Sequence, residues 1–162
     1  YATDNFTMSG GKIIGNTAAL DGGGLYINNS MGNYTRSISD TAIIADNTSS
    51  VSGSVKANNL FIPTYNSKLN RDQRITIGTC SDGMKVGVTL QTATDIISKN
   101  AAGADVTQYF FADNQAKYVN VNSSNYLILS DVGDNKTIVL SPCENGKVTV
   151  SVPHALASVA RR

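Results

Sequence analysis

The sequence predicts an all-β fold built as a right-handed parallel β-helix, a solenoid of stacked coils, and three observations lead there. Charged residues make up 15% of the 162 residues, well below the roughly 25% of ordinary globular domains. Asn, Ser, Thr and Gly fill their place, and these suit tight turns and short extended segments far better than long helices. The apolar residues come in short clusters of Ile, Val, Leu and Tyr, which a disordered chain of equal polarity would lack. Finally, a degenerate unit recurs. Ile13-Ile14-Gly15-Asn16-Thr17 returns as Ile44-Ala45-Asp46-Asn47-Thr48, and Gly23-Gly24-Leu25-Tyr26-Ile27 as Asn58-Asn59-Leu60-Phe61-Ile62. Self-similarity of this kind marks stacked units that share one core.

Within each unit the alternation is that of a half-buried strand. Leu25 and Ile27 face one side and Tyr26 the other, and Leu60, Ile62 and Phe61 repeat the pattern. Strands this short survive by stacking on equivalent strands of the next coil, about 4.8 Å away, with their inward residues in one column. The spacing therefore predicts Ile13 stacked on Ile44 and Leu25 on Leu60. Gly22-Gly23-Gly24 are expected at a corner that needs positive φ. Asn16 and Asn47 are expected at equivalent corners, where Asn tolerates the left-handed region and stacked amides form ladders. The second turn, from Thr48 to Ala57, is longer and rich in Ser and Gly, as an excursion from the stack would be.

The run from Phe6 to Ala18, followed by Gly22-Gly23-Gly24-Leu25-Tyr26-Ile27, resembles the repeat of large bacterial surface proteins with the pectate-lyase-like β-helix fold. It is similar also to the polymorphic outer-membrane autotransporters, whose repeats join an aromatic-or-aliphatic-x-x-Asn element to a Gly-Gly-aliphatic element. The close match covers about residues 5 to 29, with a degraded copy to about residue 64. The resemblance implies a secreted or cell-surface protein, with adhesion as its usual assigned role. The chain opens at Tyr1, already inside a repeat, which predicts a segment of a longer solenoid.

Further along, Pro63 is expected to end the strand at Leu60-Phe61-Ile62. Arg74 to Gly78 and Lys85 to Leu90 read as strands joined by a Ser81-Asp82-Gly83 turn. Thr92 to Asn100 is expected to hold a helical turn carrying Ile96 and Ile97. Asp105 is placed to cap a brief helical turn through Tyr109-Phe110-Phe111. Strands at Lys117 to Val121 and Tyr126 to Leu129 are expected to cap the solenoid, closing residues 1–130 as coils and cap. Residues 131–162 read as a linker and the start of a small β module, with alternating strands at Lys136 to Leu140 and Gly146 to Val152. Glu144-Asn145-Gly146 between them is a hairpin signal.

The chemistry expected of this chain is sparse. A net charge of +1 gives no basis for nucleic acid or acidic lipid as a partner. No apolar run approaches the roughly 20 residues that cross a membrane as a helix. No catalytic, cofactor or metal residues are assigned. Asp4, Asp21, Asp40 and Asp46 are expected as solvated turn residues rather than the paired carboxylates of a glycosidase. Arg71, Asp72 and Arg74 read as surface charges. His154 stands alone without a nucleophile elbow. Asp131 to Asn135 has too few oxygen ligands for calcium. Two cysteines, Cys80 and Cys143, are too few for a disulfide framework, with two free thiols expected ahead of a mutual bridge. Tyr26, Tyr34 and Phe61 are the candidate surface-contact residues, toward an extracellular ligand such as a host surface or a glycan. The expected role is a non-enzymatic, structural or adhesive display rod at the cell surface. The alternative is a polysaccharide-binding or polysaccharide-degrading β-helix. An open N-terminal coil also predicts self-association of the chain through that face.

Overall fold

The computed structural model describes residues 4–28, 34–64, 75–92, 96–99, 105–123, 125–132, 139–142 and 148–151. These form an all-β architecture in which most strand pairs are parallel. The first layer holds β1 (Phe6–Met8), β2 (Lys12–Ile14), β3 (Thr17–Ala18) and β4 (Leu25–Tyr26). The second holds β5 (Arg36–Asp40), β6 (Ile43–Ala45), β7 (Thr48–Val51), β8 (Ser54–Ala57) and β9 (Leu60–Ile62). β1 pairs with β5, β2 with β6, β3 with β7 and β4 with β9, every one parallel. The registers place Ile13 beside Ile44 and Leu25 beside Leu60, the two pairs that the repeat predicted.

A third layer follows with β10 (Thr76–Cys80) and β11 (Lys85–Leu90). β10 lies parallel to β5 with Ile77 beside Ile38. β11 is the unusual strand, because it serves two partners on one edge. Val86 lies beside Ile44 of β6, and Val88 beside Leu60 of β9. The whole turn that separates β6 from β9 in the second layer is reduced here to a single residue, Gly87. Three inward columns result: Met8–Ile38–Ile77, Ile13–Ile44–Val86 and Leu25–Leu60–Val88. Ile38, Ile44, Leu60, Val86 and Val88 are wholly buried. Each such side chain contributes roughly 1.5–3 kcal/mol on leaving water, so strands too short to persist singly are held by shared columns.

The parallel order then gives way. β12 (Ile96–Lys99) is parallel to β10, and β13 (Phe110–Ala112) is parallel to β11. β15 (Tyr126–Asp131) runs antiparallel to β12, and β14 (Lys117–Val121) antiparallel to β15. Leu127 and Leu129 of β15 face the core with Ile97. Lys117 sits opposite Asp131 in the register and forms an ion pair with it. β16 (Val139–Pro142) and β17 (Val148–Ser151) make an antiparallel pair, as the alternation around residues 144–146 predicted.

Several local expectations are corrected. The helical turn expected between Thr92 and Asn100 is instead strand β12 over its described residues. The β-branched pair Ile96-Ile97 favours an extended chain where neighbouring strands lie on both sides. Positive φ falls on Gly15 and Asp46, at φ 70° and 58°, and not on the following Asn16 and Asn47. Of the three consecutive glycines only Gly22 takes positive φ, at 80°. The excursion from Thr48 to Ala57 is itself ordered, as a β7–β8 hairpin turning on Ser52 and Gly53, both of positive φ. Asp105 does support a turn of 3-10 helix, Thr107–Tyr109, accepting from the Thr107 backbone and hydroxyl. Phe110-Phe111 already belong to β13.

Candidate functional site

The most organised chemistry in the molecule is a polar column beside the core. Asn47 is 1% exposed, yet every polar atom of its side chain is engaged. Its Oδ1 accepts from the Asn16 backbone at 3.1 Å and from Asn16 Nδ2 at 2.9 Å. Its Nδ2 faces Ile13 O and Ala45 O, both at 2.8 Å, and Asn59 Oδ1 at 3.0 Å. The Asn47 backbone N–H also donates to Asn59 Oδ1, at 2.8 Å. Asn59, 2% exposed, repeats the step by donating its backbone N–H and Nδ2 to the two oxygens of Asp113. The Thr89 hydroxyl adds a third bond to that carboxylate, at 2.7 Å. Burial raises the pKa of Asp113, while the hydrogen bonds from Asn59 and Thr89 act in the opposite sense.

Glycines make room for this column. A β-carbon on Gly87 would stand 2.4 Å from Asn59 Nδ2 and 2.5 Å from Asp113 Oδ1. One on Gly24 would stand 2.7 Å from Asn47 Nδ2, and one on Gly23 2.1 Å from Thr48 O. Gly23 and Gly24 are thus required for close approach rather than for a turn. Asn58 fastens the same corner: its Oδ1 accepts from Gly22 N, and its Nδ2 reaches Asp21 Oδ1 and Ser49 Oγ, each of these last two at 3.0 Å.

The three candidate contact residues do not form one surface. Tyr26 and Phe61 are neighbours in β4 and β9, with ring centroids 5.3 Å apart and planes at 20°. Phe61 points away from the core face, as alternation requires, but it is only 4% exposed. Tyr34 precedes β5 and lies outside that stack, its ring 5.4 Å from the Arg36 guanidinium. Among the described aspartates, Asp40 and Asp46 sit at exposed positive-φ turns and Asp21 accepts from Asn58. No group of three or more His, Cys, Asp or Glu converges among the described residues. Arg71, Asp72, Arg74, Cys143 and His154 lie outside the described residues.

An open cavity of about 440 Å³ lies between β10 and the 3-10 turn, lined among others by Ile77, Cys80, Asp105, Val106 and Tyr109. Cys80 carries a free thiol whose pKa is pushed up by burial. Such a thiol stays protonated near neutral pH, the reverse of an activated nucleophile. Hydrogen bonds from Thr107 hold Asp105 below its usual range. The cavity therefore presents a neutral thiol and an ionised carboxylate without an arrangement for nucleophilic attack. No described helix is long and apolar enough to cross a membrane. No family model, curated protein or solved structure matches this chain.

The ladder was only half visible in the sequence. Asn16 and Asn47 stand at repeated positions where stacked amides are expected, but Asn59 falls in the Asn58-Asn59-Leu60-Phe61-Ile62 element with no signal for a place in the ladder. Asp113 carried no signal at all, because it joins the column from a segment with no trace of the repeat.

Proposed function

We propose that this chain is a length of right-handed parallel β-helix from a secreted or cell-surface repeat protein, acting as a non-enzymatic rod with a structural or adhesive role. The observation that supports this most is the stacking itself, with Ile13, Ile44 and Val86 in one parallel column and Leu25, Leu60 and Val88 in another. A polypeptide wound this way gains length with every repeat while each layer contacts only its neighbours, which yields a stiff spacer. The buried asparagine column adds directional hydrogen bonds that a purely apolar stack lacks, and it resists sliding of one layer over the next. The buried asparagine side chains and the Asp113 carboxylate are spent on one another, and this supports scaffolding over catalysis. Display of extracellular contact residues completes the reading, with Tyr26 and Tyr34 as separate aromatic candidates.

The test is made on intact cells of the source and on the purified chain. Antibodies raised against the chain are expected to label unpermeabilised cells, and the chain is expected to leave a panel of plant and bacterial polysaccharides uncleaved. Labelling only after permeabilisation would overturn the surface reading. Release of reducing or unsaturated sugar ends would overturn the non-enzymatic one.

A further inference from the structure

The asparagine column has a direction. At each step a backbone N–H and an Nδ2 of one residue meet side-chain oxygen of the next: Asn16 to Asn47, Asn47 to Asn59, Asn59 to Asp113. A backbone N–H can only donate, so the atom facing it must be oxygen, and this fixes how the Asn47 and Asn59 amides are turned. Asp113 ends the series, since both of its carboxyl oxygens accept, from Asn59 and Thr89, and it makes no onward bond to another ladder residue among the described ones. At the opposite end, Asn16 spends its N–H and Nδ2 on Asn47 and Ile14 O, and its Oδ1 accepts nothing among the described residues.

Among the described residues, no strand covers the face around Asn16. β1 and β3 are edge strands, and β2 and β4 end the two arms of the sheet that meets in β11. Ala45 is 1% exposed, whereas its partner Ile14 is 48% exposed, and the buried Asn47 stacks on an exposed Asn16. The first layer thus offers outward the same acceptor that the second layer offers to it.

We propose that the β1–β4 face is a docking surface for one further parallel β-coil of this repeat type, whose ladder residue is an asparagine donating its N–H and side-chain amide to Asn16 Oδ1. This rests on the stacked-coil part of the reading above and is independent of location at a cell surface. The same polarity disfavours a second copy of the chain as occupant. Two copies meeting face to face would set Asn16 Oδ1 against Asn16 Oδ1. A head-to-tail copy would bring an end built from Asp113, another acceptor, and from the antiparallel β14–β15 pair.

The experiment inserts a second copy of residues 4–33 directly before Asp4 of the full chain, so that each copied residue precedes its original by 30 positions, the offset between Phe6 and Arg36, and follows amide hydrogen exchange. Exchange across Lys12–Ile14 and at Asn16 is expected to slow about tenfold or more against the unextended chain. Asn16→Asp in the added copy alone, which leaves the ladder of the original chain intact, is expected to remove most of that protection. Unchanged exchange at Asn16 in the extended chain would overturn the docking surface. Equal protection with Asn and Asp in the added copy would overturn the ladder as its selector. Protection of β2 in the unextended chain that grows with concentration, with a dimer in sedimentation, would replace the proposed occupant by a second copy. Slow exchange at Ile44 and Leu60 in both chains separates failure of docking from failure of the stacked-coil reading.

Discussion

At the scale of single residues, the molecule is most sensitive where an amide or a missing side chain has no substitute. Asn47→Asp keeps the acceptor for Asn16 but replaces Nδ2 with an oxygen facing Ile13 O, Ala45 O and Asn59 Oδ1. A buried charge set against three acceptors is expected to cost about 3 kcal/mol or more. The check is a drop in the denaturant midpoint, and an unchanged midpoint would refute a structural role for the ladder. Gly87→Ala is expected to cost about 1–3 kcal/mol as an overpacked contact, because its β-carbon meets Asn59 and Asp113. Asp113 gives a pH signature. Its folded pKa is raised by burial, so the folded state holds the proton more tightly than the unfolded chain does. Its contribution to stability is complete below the unfolded pKa, about 3.9, and is lost as pH rises through the folded value. The unfolding free energy of the native chain, measured relative to Asp113→Asn, is therefore expected to decline as pH rises across that window. A flat or rising difference curve would show that the hydrogen bonds from Asn59 and Thr89 outweigh burial.

Among elements, β11 and the β7–β8 hairpin are two answers to one geometric problem. The second layer leaves the sheet after Ala45, makes a hairpin and returns at Leu60, with Asn58 N–H donating to Asn47 O at 2.9 Å to close the neck. The third layer runs straight through Gly87. Since the neck is closed by its own hydrogen bonds, the hairpin tip carries none of the shared core: Val55 is 67% exposed. Inserting a flexible Gly/Ser loop between Ser52 and Gly53 is expected to cost less than about 1 kcal/mol, given the slow growth of closure entropy with length. Thermal unfolding would check this, with a large loss of Tm counting against an independent excursion. The sequence made the length of this turn visible but not its hairpin, because the Ser and Gly that dominate it carry little strand signal. The error at β12 has the same root. Four residues hold no readable period, and neighbouring strands decided their conformation.

For the molecule as a whole, layers that touch only their neighbours should not exchange as one unit. The middle layers are covered on both sides, the first on one. Amide exchange is accordingly expected to be slowest across Ile43–Ala45 and Lys85–Leu90, and faster across Phe6–Met8 and Lys12–Ile14. Uniform protection would mean that the layers unfold in a single cooperative step. The antiparallel β14–β15 pair lies at the far edge of its sheet, where it ends the parallel growth of that sheet, while the first layer remains open to it.

By itself, the sequence determined that the chain is all-β and which residues lie in register, because each repeat carries its own alternation and its own Asn, and equivalent residues must stack if either is to be buried. Ile13 on Ile44 and Leu25 on Leu60 were legible for that reason. Only the tertiary structure decided that Gly87 replaces an entire turn, that Asp113 ends the asparagine column and that Phe61 is covered. Each of these depends on contacts between segments whose sequences share no period, and such contacts become defined only once the layers are stacked.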